Sequence, residues 1–411
     1  MAKNPDLEEG RVSLFDADFA RCPQPVYAAL RDHCPVSRAL LTGAPVVSRY
    51  HDVMWALRQP EIFSSAMEMQ LALGTDRPMI PQQIDPPEQT RYRRLLDPHF
   101  SRRKMEELVP AIRAEADALI DRFEKNGEVE FNEAFAVPLP CSAFLSLLGL
   151  PHSDLDFFLG LKDGIIRPQK THPEEFEGLS GVESMEKGKE MRSASGRKIY
   201  EYFEAVIDDR TAKKRDDLMT RLVHAEIEGE KLSREEILDI CFLLLLAGLD
   251  TVTATVGCNI AYLADNPEQR RRIVADPGLI PGAVEELLRW ETPVTAVPRV
   301  VKKDVEIRGF QLKEGDLVTL LLGAANIDDE HFEGAEAVDF ERGRNIHLSF
   351  GGGPHRCLGS HLARMELQVA MEEWHRRIPE YRIREGETPR YSPGIREVMY
   401  LPLTWEPGSR S

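Results

Sequence analysis

Apolar positions along this chain recur mostly at helical spacing, broken by a few short alternating stretches. Residues 25–33 predict an entry helix, with Pro25 at a first helical position, where its missing N–H costs nothing. Two short strands are expected around 41–44 and 46–48, joined at Gly43 between β-branched residues, then a helix over 51–58. Residues 66–84 mix Met, Leu, Gly and Pro without a period and predict an irregular segment; segments of that kind often carry function. A turn at Asp85, Pro86 and Pro87 then opens a helix that sets Gln89 and Arg93 one turn apart on one face. Helical periods over 105–150 are interrupted at Gly127 and at Pro138 and Pro140 and read as scaffold. Residues 152–192 are polar, carry several glycines and show little amphipathic order, which predicts a mobile stretch.

The longest helical signal spans 234–266. Ser233 and Glu236 make a capping box at its start, and Asn266 before Pro267 ends it. In its apolar middle stand Ala247, Gly248, Leu249, Asp250 and Thr251. An unpaired buried carboxylate is costly, so Asp250 needs a partner or a polar pocket. Gly248 permits close approach of a flat ligand or a local opening of the helix, and Thr251 can back-bond to the Ala247 carbonyl. The next helix ends at Trp290 and carries Glu286 and Arg289 as an i,i+3 pair. Residues 305–312 alternate as a strand, with 313–316 as a turn before another; 361–377 return to helical period, and 401–405 close the pattern.

Composition adds limits. With 411 residues, 42% hydrophobic and 29% charged, the chain supports a large core of ordinary globular type. Its net charge of −17 disfavours nucleic acid and anionic membranes as partners. Positive charge is nevertheless concentrated locally, at Arg91, Arg93, Arg94, Arg102, Arg103 and Lys104, and at Arg342, Arg344, Arg356 and Arg364. Six widely spaced cysteines without a Cys-x-x-Cys pair argue against a zinc ribbon or a disulfide framework and fit a reducing cytoplasm. The polar, acidic start shows no signal peptide. The apolar run over 240–249 is shorter than the ~20 residues of a membrane span, so no membrane is expected.

The richest local signal is the run Phe350, Gly351, Gly352, Gly353, Pro354, His355, Arg356, Cys357, Leu358, Gly359, set directly before a helix. Glycines let the backbone lie against a planar ligand, and a helix N-terminus keeps a thiolate ionised. Cys357 reads as a haem ligand. Phe350, Gly351, Gly353, His355, Cys357 and Gly359 together resemble the axial-ligand loop of cytochrome P-450, the haem-thiolate monooxygenases. The likeness extends over about 63–407 and is to the soluble bacterial type, including the camphor hydroxylase at Leu243 to Leu245, 85–89 and 401–407.

That resemblance implies a mainly α fold with smaller β-sheets, of α+β class. The expected form is one triangular, helix-rich catalytic domain over 1–411 with haem between a long central helix and the cysteine loop. Its β-rich portions would lie at about 36–65, 300–325 and 385–407. It further implies haem b, iron protoporphyrin IX, with Cys357 on the metal and Phe350, Gly359 and Gly248 beside the ring. Gln89, Arg93, Arg299 and His355 would contact the propionates, although many members carry His where this chain has Gln89. Asp250 and Thr251 match the oxygen-activation motif, Asp250 gating protons that Thr251 directs. Glu286, Arg289 and Arg342, the last in Asp339-Phe340-Glu341-Arg342, match a buried triad that fixes the loop. Leu243, Leu246, Ala247, Thr295, Val297, Ile395 and Arg396 match pocket positions, with Arg396 a candidate anchor for a carboxylate or carbonyl. Residues 152–192 correspond to the helices and loop that lid the substrate channel.

The implied reaction inserts one atom of O2 into a C–H bond of a small hydrophobic substrate, a terpenoid or aromatic. No flavin or iron–sulfur motif lies in the chain, so electrons come from outside, and the basic clusters predict an acidic [2Fe-2S] ferredoxin with its reductase. A peroxygenase, a non-catalytic haem sensor or carrier, and a purely structural helical protein stay open as alternatives.

Overall fold

The computed structural model describes residues 11–13, 17–40, 42–67, 73–392 and 395–408, and helices dominate it, with small sheets between them. The helices that position the chemistry are α1 (Tyr50–Leu57), α2 (Glu88–Leu96), α3 (Leu155–Ile166), α4 (Gly181–Ala212), α5 (Arg234–Asp265), α6 (Ile280–Glu291) and α7 (Ser360–Arg377). Packing gathers the chain into two units. The first draws on Met1–Ser65, Met105–Leu139 and Thr251–Ser411, the second on Ala66–Lys104 and Pro140–Asp250. A single domain over 1–411 is the expectation from sequence; in the structure the chain leaves the first unit twice and returns, the second time along α5 between Asp250 and Thr251.

In the first unit six strands, β1 (Arg11–Val12), β2 (Val36–Ala39), β3 (Pro45–Val47), β4 (Phe63–Ser64), β5 (Val297–Val301) and β6 (Leu317–Leu320), form a mixed sheet in the order β1-β2-β3-β6-β5-β4. β1 with β2 and β3 with β6 run parallel, the other neighbours antiparallel. β2 lies earlier than the 41–44 expected. Gly43, at φ +68°, sits in the turn, where its N–H donates to the Ala39 carbonyl at 2.8 Å; Leu41 is outside the described residues. The expected strand over 305–312 is in fact two, Val305–Ile307 and Phe310–Leu312, paired antiparallel. Arg308 and Gly309 both take positive φ, +49° and +80°, and a two-residue turn with that geometry matches strand twist.

Val47, Val53, Leu57, Phe63, Val318, Leu320 and Leu348 share one buried cluster. It ties α1 and the sheet to the residues just ahead of the glycine-rich loop. α7 packs by its own core side, where Trp374 is fully buried, its ring 4.7 Å from Phe131 and near perpendicular to it.

The second unit contains α2, α3, α4 and the N-terminal part of α5. Residues 152–192, read from sequence as a mobile stretch of little amphipathic order, are largely helical: α3, a short turn of helix at Pro168–Thr171, and the start of α4. Phe158, Leu161 and Ile165 make the buried face of α3 at helical spacing. α4 opens with a capping box, Ser180 with Glu183, the same signal that starts α5. There the Ser233 hydroxyl accepts the Glu236 N–H at 3.1 Å and the Glu236 carboxylate accepts the Ser233 N–H at 2.6 Å. By length and composition α5 could cross a membrane, but 78% of its most apolar window is buried inside the protein, as in a core helix.

Candidate active site

The cysteine loop is shaped by two left-handed glycines, Gly351 at φ +66° and Gly353 at +65°. Gly353 cannot be replaced for a second reason: a Cβ there would lie 2.1 Å from the Leu57 carbonyl at the end of α1. The loop closes on itself where the Cys357 N–H donates to the Phe350 carbonyl at 2.8 Å. Three residues on, α7 begins, with Gly359 as its N-cap. Cys357 is half-buried, whereas Cys241 and Cys258 are buried and burial pushes both thiols far up. A thiol beside a helix N-terminus, not sealed in apolar surroundings, is in a setting that favours the thiolate over those two.

Behind the loop Glu286 and Arg289, both fully buried, meet Arg342. Arg289 donates to the Glu286 carboxylate through Nε and Nη2 at 2.9 and 2.7 Å, and Arg342 Nε reaches both carboxylate oxygens at 3.1 and 3.0 Å. Asn345 Nδ2 and the Asp339 N–H complete the shell at 2.9 and 3.0 Å. The remaining arginine donors go to carbonyls of Asn326, Ala335 and Ala337, and of Glu333 and Gly334.

On α5, Asp250 is fully buried while Thr251 is half-open, and Ala247, one turn earlier, is exposed in a stretch that is otherwise buried. The partner that Asp250 requires is in the second unit. Arg167 grips the carboxylate with Nη1 and Nη2 at 2.9 and 3.3 Å, and Lys162 Nζ lies 3.4 Å away. Burial alone would lower the Lys162 ammonium, yet Asp250 and Asp163 hold it above its usual value. Asp163 in turn lies low despite burial, because Lys162, Lys170 and Arg167 surround it. Gly248 has a plain packing role: a Cβ there would meet the Phe144 ring at 2.7 Å.

The other candidates divide between the units. In the second, Gln89 is buried on α2, and Arg93 is paired with Asp97 at 2.8 Å, a half-exposed surface pair that exchanges readily; Leu243 and Leu246 are buried on α5. In the first, Arg299 is buried with Nη1 on the Pro298 carbonyl at 2.7 Å, and His355 is half-buried in the loop. Thr295, Val297 and Ile395 are half-buried. Arg396 does not offer a spare charge. Its Nε donates to Glu291 at 2.5 Å and its Nη1 to the Ala20 carbonyl at 2.7 Å, so the carboxylate it could anchor is already supplied by the protein.

Sequence reasoning missed Lys162, Arg167, Glu285 and His347; Arg364, read as part of a basic cluster, is paired with Glu285 at 2.6 Å. The buried face of α3 would have exposed Lys162 as helix-borne and placed Arg167 at the helix's C-terminal end; the others had no local signal.

A family model for Cytochrome P450 matches residues 183–276 and 279–376. The chain is 36% identical over 366 residues to a probable cytochrome P450 127A1 from Sinorhizobium fredii, covering 88% of this chain and 84% of the relative. The chain belongs to the cytochrome P450 family. It is also 35% identical to a mycinamicin IV hydroxylase/epoxidase from Micromonospora griseorubida, over 92% of this chain and 94% of that protein. With a steroid C26-monooxygenase from Mycobacterium tuberculosis it shares 33% over 93% and 92%. Among solved structures, CYP109E1 from Bacillus megaterium in complex with testosterone superposes with a TM-score of 0.85 at 29% identity, covering 95% of this chain and 100% of that one.

As a P450 this protein is a monooxygenase, an oxidoreductase that works with O2, a substrate and redox partners on a haem-thiolate cofactor. The donor set fits that cofactor: a half-open thiol in a glycine turn at a helix N-terminus, braced by a saturated buried ion cluster.

Proposed function

We propose that this cytochrome P450 hydroxylates a small hydrophobic substrate, of terpenoid or aromatic type, on haem b, with electrons from an acidic [2Fe-2S] ferredoxin. Bound through Cys357, haem supplies activation of dioxygen and delivery of one oxygen atom to a C–H bond. Phe350 and Gly359 would frame the ligand loop, and Gln89, Arg93, Arg299 and His355 would hold the propionates.

The observation that carries the reading is a graded file of charges ending at Asp250. Lys170 is half-exposed and reaches Asp163 at 3.3 Å; Asp163 reaches Lys162 at 3.2 Å, and Lys162 reaches the fully buried Asp250 at 3.4 Å. The next residue is Thr251, which is half-open. Exchange of Arg167 and Lys162 between Asp163 and Asp250 lets the Asp250 carboxyl pick up a proton from the solvent side and turn it inward. Thr251 Oγ then orients that proton, and positioned transfer of this kind is typically worth ~10²–10⁴ in rate.

Leu243, Leu246, Ala247, Val297 and Ile395 are the apolar candidates for substrate contact, with Thr295 the polar one. Relatives named for a macrolide and a steroid extend the size range to be tried. Arg364 is paired with Glu285, and on the cysteine side of the first unit the exposed Arg344 and Arg356 are candidates for contact with an acidic ferredoxin.

The deciding experiment is the absorption spectrum of the reduced carbon monoxide complex, followed by turnover of terpenoid, aromatic and steroid substrates with NAD(P)H, ferredoxin and reductase. A red-shifted Soret band that disappears in Cys357→Ser, with product formed only when the electron chain is present, is expected. Equal turnover with hydrogen peroxide alone would make the protein a peroxygenase; haem binding without turnover of any substrate would make it a sensor.

A further inference from the structure

The loop that carries Cys357 has a second brace, one position away on α6 from the Glu286 cluster. Because the Cys357 N–H bonds the Phe350 carbonyl, the sulfur's position follows Phe350. The Phe350 ring is covered by Arg364, whose guanidinium carbon lies 4.4 Å from the ring centroid, and its other neighbour is the His347 ring at 5.7 Å. Both neighbours are tied to Glu285. Arg364 Nε and Nη2 donate to the two carboxylate oxygens at 2.6 and 2.8 Å, a forked charge-assisted pair. His347 Nε2 lies 3.2 Å from Oε2. Its Nδ1 accepts the Ser349 N–H at 3.2 Å, which assigns the ring proton to Nε2 and makes it the donor to Glu285.

The two acids do different work. Glu286 and Glu285 are successive on a helix, so they leave it about 100° apart. Glu286 gathers the chain ahead of the loop, through Arg342, Asn345 and Asp339. Glu285 gathers the loop itself, from His347 to Phe350 and on to Arg364 in the second turn of α7. Burial alone would raise its carboxyl, but His347 and Arg364 bring it down to about 2.

We propose that Glu285 is a positioning residue for the haem thiolate: through Arg364 and His347 it clamps the Phe350 ring that sets Cys357, and it neutralises the cation packed on the ligand loop. The proposal rests on the haem-thiolate reading of Cys357. It predicts that loss of Glu285 frees an uncompensated cation beside the loop, which makes the ferric haem easier to reduce and the thiolate bond easier to lose.

Wild type, Glu285→Gln, Arg364→Lys and the double variant Glu285→Gln with Arg364→Gln are purified with haem. Each is measured for reduction potential, for the Soret band of the reduced carbon monoxide complex, and for the rate at which warming removes its red shift. Glu285→Gln should move the potential positive and lose the red-shifted band about tenfold faster, the loss expected from a charge-assisted pair discounted for partial exposure. The double variant should bring the potential back toward wild type, since acid and cation leave together. Arg364→Lys should keep the potential but lose the band faster, because an ammonium lacks the planar fork; its quarter-exposed side chain keeps this arm usable if Glu285→Gln fails to retain haem. An unmoved potential in Glu285→Gln, equal potentials in the single and double variants, or altered melting with spectrum and potential unchanged would each overturn the proposal. A wild type without the red-shifted band would defeat the haem-thiolate reading instead.

Discussion

Asp250 and Glu286 are both fully buried carboxylates, and each faces two cations. They differ in where the donors come from and in what else those donors hold. Arg289, Arg342, Asn345 and a backbone N–H saturate Glu286, and the arginines' other donors end on backbone carbonyls that have nowhere to go. Asp250 has Arg167 and Lys162, and both of these also bind Asp163. One acid is over-determined; the other shares its cations with a competitor that reaches toward solvent through Lys170. A buried ion pair with redundant partners acts as a rivet, and one with a shared partner can exchange.

The largest expected effect separates them by stability. Glu286→Ala strands Arg289 and Arg342 in a dry site and should cost roughly 3–5 kcal/mol. Thermal melting and haem retention read it, and Arg289→Ala should do the same by stranding Glu286. Asp250→Asn leaves Lys162 and Arg167 with Asp163 as counter-ion, so its melting temperature should stay close to wild type. If both variants melt alike, the distinction between the two clusters is gone.

The second effect separates them by rate. Asp250→Asn should lower product formation by ~10²–10⁴ with the folded haem protein intact, as loss of a positioned proton donor predicts. Arg167→Ala, which removes the grip but leaves the acid and Lys162, should fall less, and its rate should depend on pH differently from wild type. Thr251→Ala should continue to consume oxygen and NAD(P)H while yielding little product; product yield per oxygen consumed is the measurement. Unchanged coupling in Thr251→Ala would remove the proton-file reading.

Much of the rivet was legible in sequence and little of the exchanging cluster was. Glu286 and Arg289 sit three apart on one helix, and Arg342 follows in a recognisable segment. The caps of α5 and the glycine turn before α7 are likewise local signals, each fixed by backbone geometry within a few residues. Arg167 and Asp250 are 83 positions apart, and nothing local in a polar segment says which acid an arginine will meet. The mobility expected over 152–192 rests on its glycines and charges; the Phe158, Leu161 and Ile165 face and the Ser180–Glu183 box are what make its helices. The strand read over 305–312 failed for the opposite reason: its alternation is real, but two positive-φ residues fold it into a hairpin. Arg364 reads only as one of a basic cluster, since charge read from sequence shows no partner; the Glu285 it pairs with is 79 positions earlier.

The smallest effect concerns Glu285, which is intermediate in build: forked to Arg364, bonded to His347, and with about a quarter of its side chain exposed. Its carboxyl lies at about 2 in the folded protein, against roughly 4.3 when unfolded. A depressed carboxyl stabilises the fold fully above the unfolded value and loses that contribution as pH falls through the folded one, here between about pH 4.5 and 2. After discounting for exposure the term amounts to about 2 kcal/mol. Urea unfolding of wild type and Glu285→Gln at a series of pH values from 5 downward reads it directly. Wild type should be the more stable at pH 5, and the gap should narrow as acid titrates the carboxylate that Gln lacks. A gap that stays constant with pH would mean that Glu285 contributes by shape alone, and the contrast between rivet and exchanging pair would then have no intermediate case.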